Sequence, residues 1–229
     1  MKLFCQLDLN HPMLANPDIP LTIDYIHSAP VDHLVKSVKE WLVSANPTCL
    51  RHPHGFFVVP LEKTQLGDWR FHLWPNGSRK VIGMPAFIHT HDRHVESRIL
   101  CGELTNIVYE VDPLAEGGQP LYAVGYGGDR YVRSTSNTLS KTAERGVPRC
   151  VSSQRLSAGD CYRVEHHAFH EAVVPEHVST ATIVWMHSRT PGPVYVVGRD
   201  GYPEHIEFTR AEISGIELAH LIDKSPGDK

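Results

Sequence analysis

Histidine is the residue type that stands out in this chain of 229 residues, which carries 16 of them. Several bunch into two groups: His89, His91 and His94, then His166, His167 and His170. Solvated histidines rarely group this way, whereas neutral imidazole is a common ligand for iron, zinc, copper and nickel. The first group lies in Ile88-His89-Thr-His91-Asp-Arg-His94-Val-Glu96. Alternate residues of a strand face the same way, so His89 and His91 are expected to project together into one interior. After a short turn the next strand would return Glu96 to that side. Two imidazoles and a carboxylate then suit a first-row divalent cation.

The residues around these groups resemble the cupin superfamily. Its first motif is matched by Gly83, five residues, His89-x-His91, four residues, Glu96, then Gly102, which falls one residue early. Its second motif is matched by Gly159 and His170 at the required separation. Glu165, His167 and Val174 stand where that motif has Pro, Gly and Asn. The resemblance spans residues 54–200 and implies a metal held by His89, His91, Glu96 and His170. Within the superfamily, Ile88-His-Thr-His91, His94, Leu100-Cys-Gly102-Glu-Leu104 and Trp185-Met-His187-Ser look like the cysteine-dioxygenase-type thiol dioxygenases. Those enzymes bind iron through three histidines without an acidic ligand. By that comparison His170 is the third histidine and Glu96 has no role. Their modified cysteine would fall near Val95, so the cysteine–tyrosine cross-link is not expected.

Other side chains are candidates to serve such a centre. Continued alternation from Glu96 would point Arg98 inward. It would then either anchor a substrate carboxylate through its guanidinium fork or pair with an acid or water at the barrel end. His94, in the turn, is either a base or alternative ligand near the metal, or a solvated ring. His187 shares a strand face with Trp185; the pair either lines the cavity or, for Trp185, packs in the core. His72 and Trp74 alternate with Phe71 and Leu73, and either pair could face in. Tyr109 and Tyr162 are candidate proton donors.

The elements expected to hold these residues are mostly strands. Residues 55–59, 69–74, 86–91, 95–101, 103–111, 121–126, 150–155, 161–166, 182–187 and 194–197 read as short β runs split by Gly, Pro and Asp, a texture of sandwiches and barrels. Val31, Leu34, Val35, Val38, Trp41 and Leu42 recur at helical spacing, predicting an amphipathic helix over 31–45 ended by Asn46-Pro47. Thr209-Arg-Ala-Glu212 reads as a capping box opening a C-terminal helix. Residues 113–146, rich in glycine and polar side chains, are expected to form a loop covering the barrel mouth. The fold class that follows is all-β: a single cupin (double-stranded β-helix or jelly-roll) barrel at 54–200, with a helical arm at 1–53 and a C-terminal helix at 201–229.

Composition narrows the function further. The apolar fraction of 41% supports a real core. A net charge of −4 with dispersed Lys and Arg argues against nucleic-acid or membrane partners. Five cysteines without C-x-x-C spacing read as reduced thiols, and Met1–Asn10 shows no secretory pattern, so a cytoplasmic location is expected. The expected cofactor is one divalent ion, Fe(II) first, with Mn, Ni, Cu or Zn able to fill the same ligands. The expected activity is an oxygenase using dioxygen on a small polar metabolite. A redox-silent metal would give isomerase or lyase chemistry instead, and a non-catalytic binding module is the third reading. The superfamily resemblance implies a homodimer.

Overall fold

The computed structural model describes residues 17–77, 87–113, 117–127 and 136–223. The first of these segments carries α1 (Ile23–Ser28), α2 (Val31–Ala45), β1 (Thr48–Arg51), β2 (Phe57–Lys63) and β3 (Gly67–Trp74). Next come β4 (His94–Cys101), β5 (Glu103–Pro113), β6 (Gln119–Tyr126) and β7 (Asn137–Ser157). The chain continues through β8 (Cys161–Val164), β9 (Phe169–Val173), β10 (Thr180–His187), β11 (Tyr195–Val197), β12 (His205–Phe208), β13 (Glu212–Ser214) and α3 (Gly215–Asp223). The strands form two antiparallel sheets. One has the order β13-β1-β2-β3-β10-β4-β8; the other has the order β11-β6-β7-β5-β9, with β12 added on β7. The all-β jelly-roll architecture with helices at both ends is therefore as expected. No helix among the described residues is long and apolar enough to cross a membrane.

Strand parity divides the first sheet into two unlike faces. On β3, Trp69, Phe71 and Leu73 pack under the helices with Leu34, Val38, Trp41 and Leu42 of α2 and Leu218 of α3. Arg70, His72 and Trp74 point the other way, into a cavity between the sheets. The apolar stripe of α2 recurs every three or four residues, which is why this helix covers the sheet without burying its charges. It ends where Asn46 adopts the left-handed conformation (φ 44°) ahead of Pro47, as the sequence predicts.

Three expectations are corrected. The segment 113–146 is largely strand, since β6 pairs with the first half of β7 from Gln119↔Gly146 to Tyr126↔Asn137; residues 114–116 and 128–135 lie outside the described set. Its polar texture reflects a ribbon with one face in solvent, where alternation is diluted by glycines at close strand crossings. A Cβ on Gly146 would lie 2.3 Å from Val111 Cγ1. The sheets also run past 54–200, because β1 and β13 pair outside that range. Finally, the capping box sits at Ser214 and Glu217, not at Thr209 and Glu212. The Glu217 N–H donates to Ser214 Oγ (3.1 Å) and the Ser214 N–H donates to Glu217 Oε2 (2.7 Å), while Glu212 belongs to β13.

Arg98 is a further correction. It projects from β4 beneath the helical arm, not into the cavity, and its Nη1 donates to the carbonyls of Ile26 and Ala29 (2.8 Å to the latter) at the end of α1. A buried cation whose Nη1 is held by helix-terminal carbonyls ties the arm to the sheet. Arg98→Met should leave those carbonyls without a donor and lower unfolding stability by roughly 1–3 kcal/mol, with metal stoichiometry unchanged. Denaturant unfolding and elemental analysis check both parts, and a loss of metal without a loss of stability would contradict this placement.

Candidate metal centre

The segment 88–91 is extended but belongs to neither sheet. It is inserted between β9 and β11. His89 and His170 exchange backbone hydrogen bonds (3.0 and 2.9 Å), while Thr90 N–H reaches Tyr195 O and Val197 N–H reaches Ile88 O, both at 2.9 Å. Residues directly opposite in an antiparallel pair carry their side chains on one face, so His89 and His170 are brought side by side from distant parts of the chain. His91, two residues on from His89, shares that face. Gly83 and Ala86, counted with this segment in the sequence, lie outside the described residues.

The three rings meet through their Nε2 atoms. His89 Nε2 lies 3.1 Å from His91 Nε2, which lies 3.0 Å from His170 Nε2. Two nitrogens each about 2.1 Å from one metal ion are about 3.0 Å apart when the angle at the metal is a right angle, and about 3.4 Å apart at the tetrahedral angle. Both observed edges are short enough for one ion to reach the nitrogens it would join. The outer nitrogens reinforce the assignment. His89 Nδ1–H donates to Phe87 O (2.8 Å) and His170 Nδ1–H donates to Asn106 Oδ1 (3.2 Å). Each of these rings then presents a bare lone pair at Nε2. His91 Nε2 can donate at most one hydrogen, so at least one of the two close N···N contacts has none between its atoms. A cation resolves that repulsion, and the donor set fits a first-row divalent ion.

Burial keeps these rings neutral. It lowers the His89 imidazole to about 4 against the opposing pull of the Phe87 carbonyl. It holds His91 and His170 well below the ordinary value, helped by their mutual proximity. His52 and His54 are depressed by the same cause, and the His54 ring stands edge-on to His89 with centroids 4.4 Å apart. His72 falls to about 3 through burial and the nearby Arg70.

Of the sequence-predicted site residues, the structure brings together His89, His91 and His170 and separates four others. Glu96 is the main correction. Its carboxylate meets His187 Nε2 (3.3 Å) and Arg163 (3.6 Å) on the far side of β4 from the imidazoles. Val95, not Glu96, lines the cavity. The reason is that alternation continues through the bend at Asp92-Arg93, so the odd-numbered His89, His91 and Val95 share the cavity face and the even-numbered Glu96 falls on the other. The same parity takes His94 and Arg98 out of the cavity. His187 goes with them, stacked on Trp185 (4.1 Å) beside the helical arm. Tyr109 points outward to Glu171, while Tyr162 lines the cavity.

Sequence reasoning missed Arg70, His52 and His54. Their signals were present: β3 alternates Trp69, Phe71 and Leu73 with the polar set Asp68, Arg70 and His72, and His52-Pro-His54 is a second His-x-His. Arg70 is held by Asp68 (3.1 Å), which also accepts from Arg93. Although burial raises the Asp68 carboxyl, the two guanidiniums bring it below its ordinary value. Asp92 accepts from Arg189 (2.8 Å), so the bend after His91 is fixed from both sides.

Replacing His89, His91 or His170 by Ala should each release the metal held in the cavity from a folded protein, whereas Glu96→Ala should retain it; the stoichiometry by elemental analysis separates the two classes. In the metal-free protein the buried rings also set a pH dependence. Their folded values lie below the unfolded 6.5, so their contribution is whole above pH 6.5. It is lost as the pH falls towards about 4, because the unfolded chain takes up protons that the folded rings refuse. Denaturant midpoints of metal-free protein should fall across that window, and added metal should offset part of the fall.

No family model and no curated protein matches this sequence. Solved structures similar to it include KdgF from Halomonas sp. (18% identity, 59% of this chain and 82% of that one, TM-score 0.31). Another is an RmlC-like cupin from Shewanella frigidimarina (16% identity, 59% and 79%, TM-score 0.31). A third is described with the DMSP lyases RdDddP and RnDddQII (13% identity, 80% and 86%, TM-score 0.36). Likeness at this level transfers no chemistry, and what the chain does must be read from its own cavity.

Proposed function

We propose that this chain is a mononuclear metal-dependent oxygenase, with Fe(II) its working ion at His89, His91 and His170, acting on a small polar metabolite that bears a carboxylate or resembles an amino acid. The observation that carries the reading is the meeting of three imidazole Nε2 atoms, with that of His91 lying 3.1 Å from that of His89 and 3.0 Å from that of His170. Three protein ligands would leave positions on the ion for substrate and dioxygen. When bound, iron would supply redox and Lewis-acid chemistry. The resemblance to thiol dioxygenases, which hold iron by three histidines alone, supports the same choice now that Glu96 stands apart.

The chain's own residues fit a small anionic substrate. The cavity offers about 150 Å³ of open space. That is enough for a few-carbon metabolite and too little for a drug-sized ligand. Arg70 lines it with a buried guanidinium suited to a carboxylate. His72 also lines the cavity, its imidazole kept neutral by burial and by Arg70 and able to hydrogen-bond a substrate. Burial raises the Tyr162 phenol above its ordinary value, which keeps it a hydrogen-bond donor. Val58, Val184, Met186 and Val196 complete an apolar wall that excludes bulk water from the reacting groups. A redox-silent ion in the same ligands is the second reading, favoured by the neutral imidazoles of His54 and His72 in the same cavity, which would position a substrate for isomerase or lyase chemistry.

The test begins with elemental analysis of anaerobically purified protein, then oxygen uptake over panels of thiols, amino acids and aromatic acids. Iron-dependent uptake that vanishes in His170→Ala is expected, together with the paramagnetic signal of a ferrous nitrosyl when nitric oxide is added. Substrate turnover by zinc- or manganese-loaded protein without oxygen consumption would instead establish the second reading. With a carboxylate substrate in hand, Arg70→Met should weaken its binding by roughly 2–5 kcal/mol at unchanged metal content. An unaltered KM would remove Arg70 from the substrate site.

A further inference from the structure

A second cluster of ligand-type side chains stands outside the cavity, where β4 begins and β8 ends. His94 Nδ1 lies 2.7 Å from Glu165 Oε2. The His94 and His166 rings are 4.7 Å apart between centroids. One ligand atom from each of His94, Glu165 and His166 lies within 4.8 Å of the other two. Glu165 Oε1 is taken by Arg163 Nε (2.7 Å), while Oε2 accepts a longer bond from Arg163 Nη2 (3.3 Å) and makes its shorter contact with His94. The His166 backbone N–H points at His94 Nδ1 (3.4 Å). Most telling is the His166 ring itself: its Nδ1 is buried and has no hydrogen-bond partner. A buried ring nitrogen left without a partner is uncommon in folded proteins and calls for a ligand.

We infer that His94, Glu165 and His166 form a second divalent-metal site, separate from the cavity. Two imidazoles and one carboxylate suit a borderline ion such as zinc and leave a fourth position for water. The ligand types argue against magnesium or calcium, which take oxygen donors. Ligands about 2.0–2.1 Å from zinc need tetrahedral edges near 3.4 Å. The exposed Glu165 arm can supply that adjustment, since its side chain is 57% accessible. Position gives the site its purpose. His94 follows His91 across the Asp92-Arg93 bend, and His166 precedes His170 across the turn that leads into β9. An ion here clips together the two segments that carry the cavity ligands.

Zinc titration of the full metal-free chain against a chromophoric chelator, with stoichiometry read by native mass spectrometry, tests this directly. The wild type should bind two equivalents and His94→Ala/His166→Ala one. A folded His89→Ala/His91→Ala/His170→Ala variant, verified by its unfolding transition, should still bind one. Glu165→Gln should weaken that remaining equivalent by roughly tenfold or more. A wild type that saturates at one equivalent, a His94/His166 double variant that still binds two, or a folded triple variant that binds none overturns the inference. Should the triple variant fail to fold, the wild type against the double variant decides alone. The outcome is independent of any activity: absence of oxygenase turnover leaves it untouched, and its failure leaves the cavity centre standing.

Discussion

The paired backbone hydrogen bonds between His89 and His170 are the constraint on which the centre depends. They place two imidazoles side by side with no help from side-chain chemistry, and they do so at the seam where the segment 88–91 is wedged between β9 and β11. Once that pair is set, strand alternation delivers His91 to the same face, and the Nδ1 contacts to Phe87 and Asn106 turn the Nε2 atoms inward. A shift of one residue in this register would put Thr90 where the ligands stand. Thr90 is instead buried on the opposite side, where its hydroxyl accepts from the Tyr195 N–H (2.9 Å) and so resists the slip.

The first sheet works as a partition. Its arm-facing side is apolar through Trp69, Phe71, Leu73, Ile183 and Leu100, and it is sealed by α2 and α3. Its cavity-facing side carries Asp68, Arg70 and His72, polar groups that a solvent-facing strand would hydrate. Here they are satisfied locally, as in the Asp68 carboxylate shared between Arg70 and Arg93. The shared carboxylate does two things at once. It neutralises a guanidinium that must stay buried beside the imidazoles, and through Arg93 it anchors the bend that ends the ligand segment. Cavity charge and ligand position are thereby coupled through one side chain.

Much of this was legible in the sequence, and the limits have physical causes. The helix 31–45 was legible because apolar spacing and the Asn-Pro stop agree. Most strands were legible because Gly, Pro and Asp separate them cleanly. The three histidines were legible because one pair sits at strand periodicity and the third falls in the second motif. Glu96, His94 and Arg98 were misplaced because the expected turn would have shifted parity, whereas His89, His91 and Val95 keep one alternation across Asp92-Arg93; His187 lies on β10, where Val184 and Met186 take the cavity face. Arg70 was missed because assigning a face to β3 requires knowing that it lies between two layers. The first half of strand β7 was missed because a long ribbon with one face in solvent looks, residue by residue, like a polar loop.

The centre also carries a built-in tension. The burial that strips protons from His89, His91 and His170 makes them ready ligands at neutral pH, since a metal need not compete with protons for them. That same burial leaves neutral lone pairs about 3.0 Å apart with no hydrogen to share between at least two of them. Without an ion the arrangement is held against repulsion by the strand register and the Nδ1 contacts alone. With one, that repulsion becomes coordination, and binding free energy adds to folding free energy because the unfolded chain offers no such assembled triad. The two arginine-bound carboxylates that brace the bend after His91 therefore oppose a force generated inside the site. A scaffold holding a relaxed core would have no need of them.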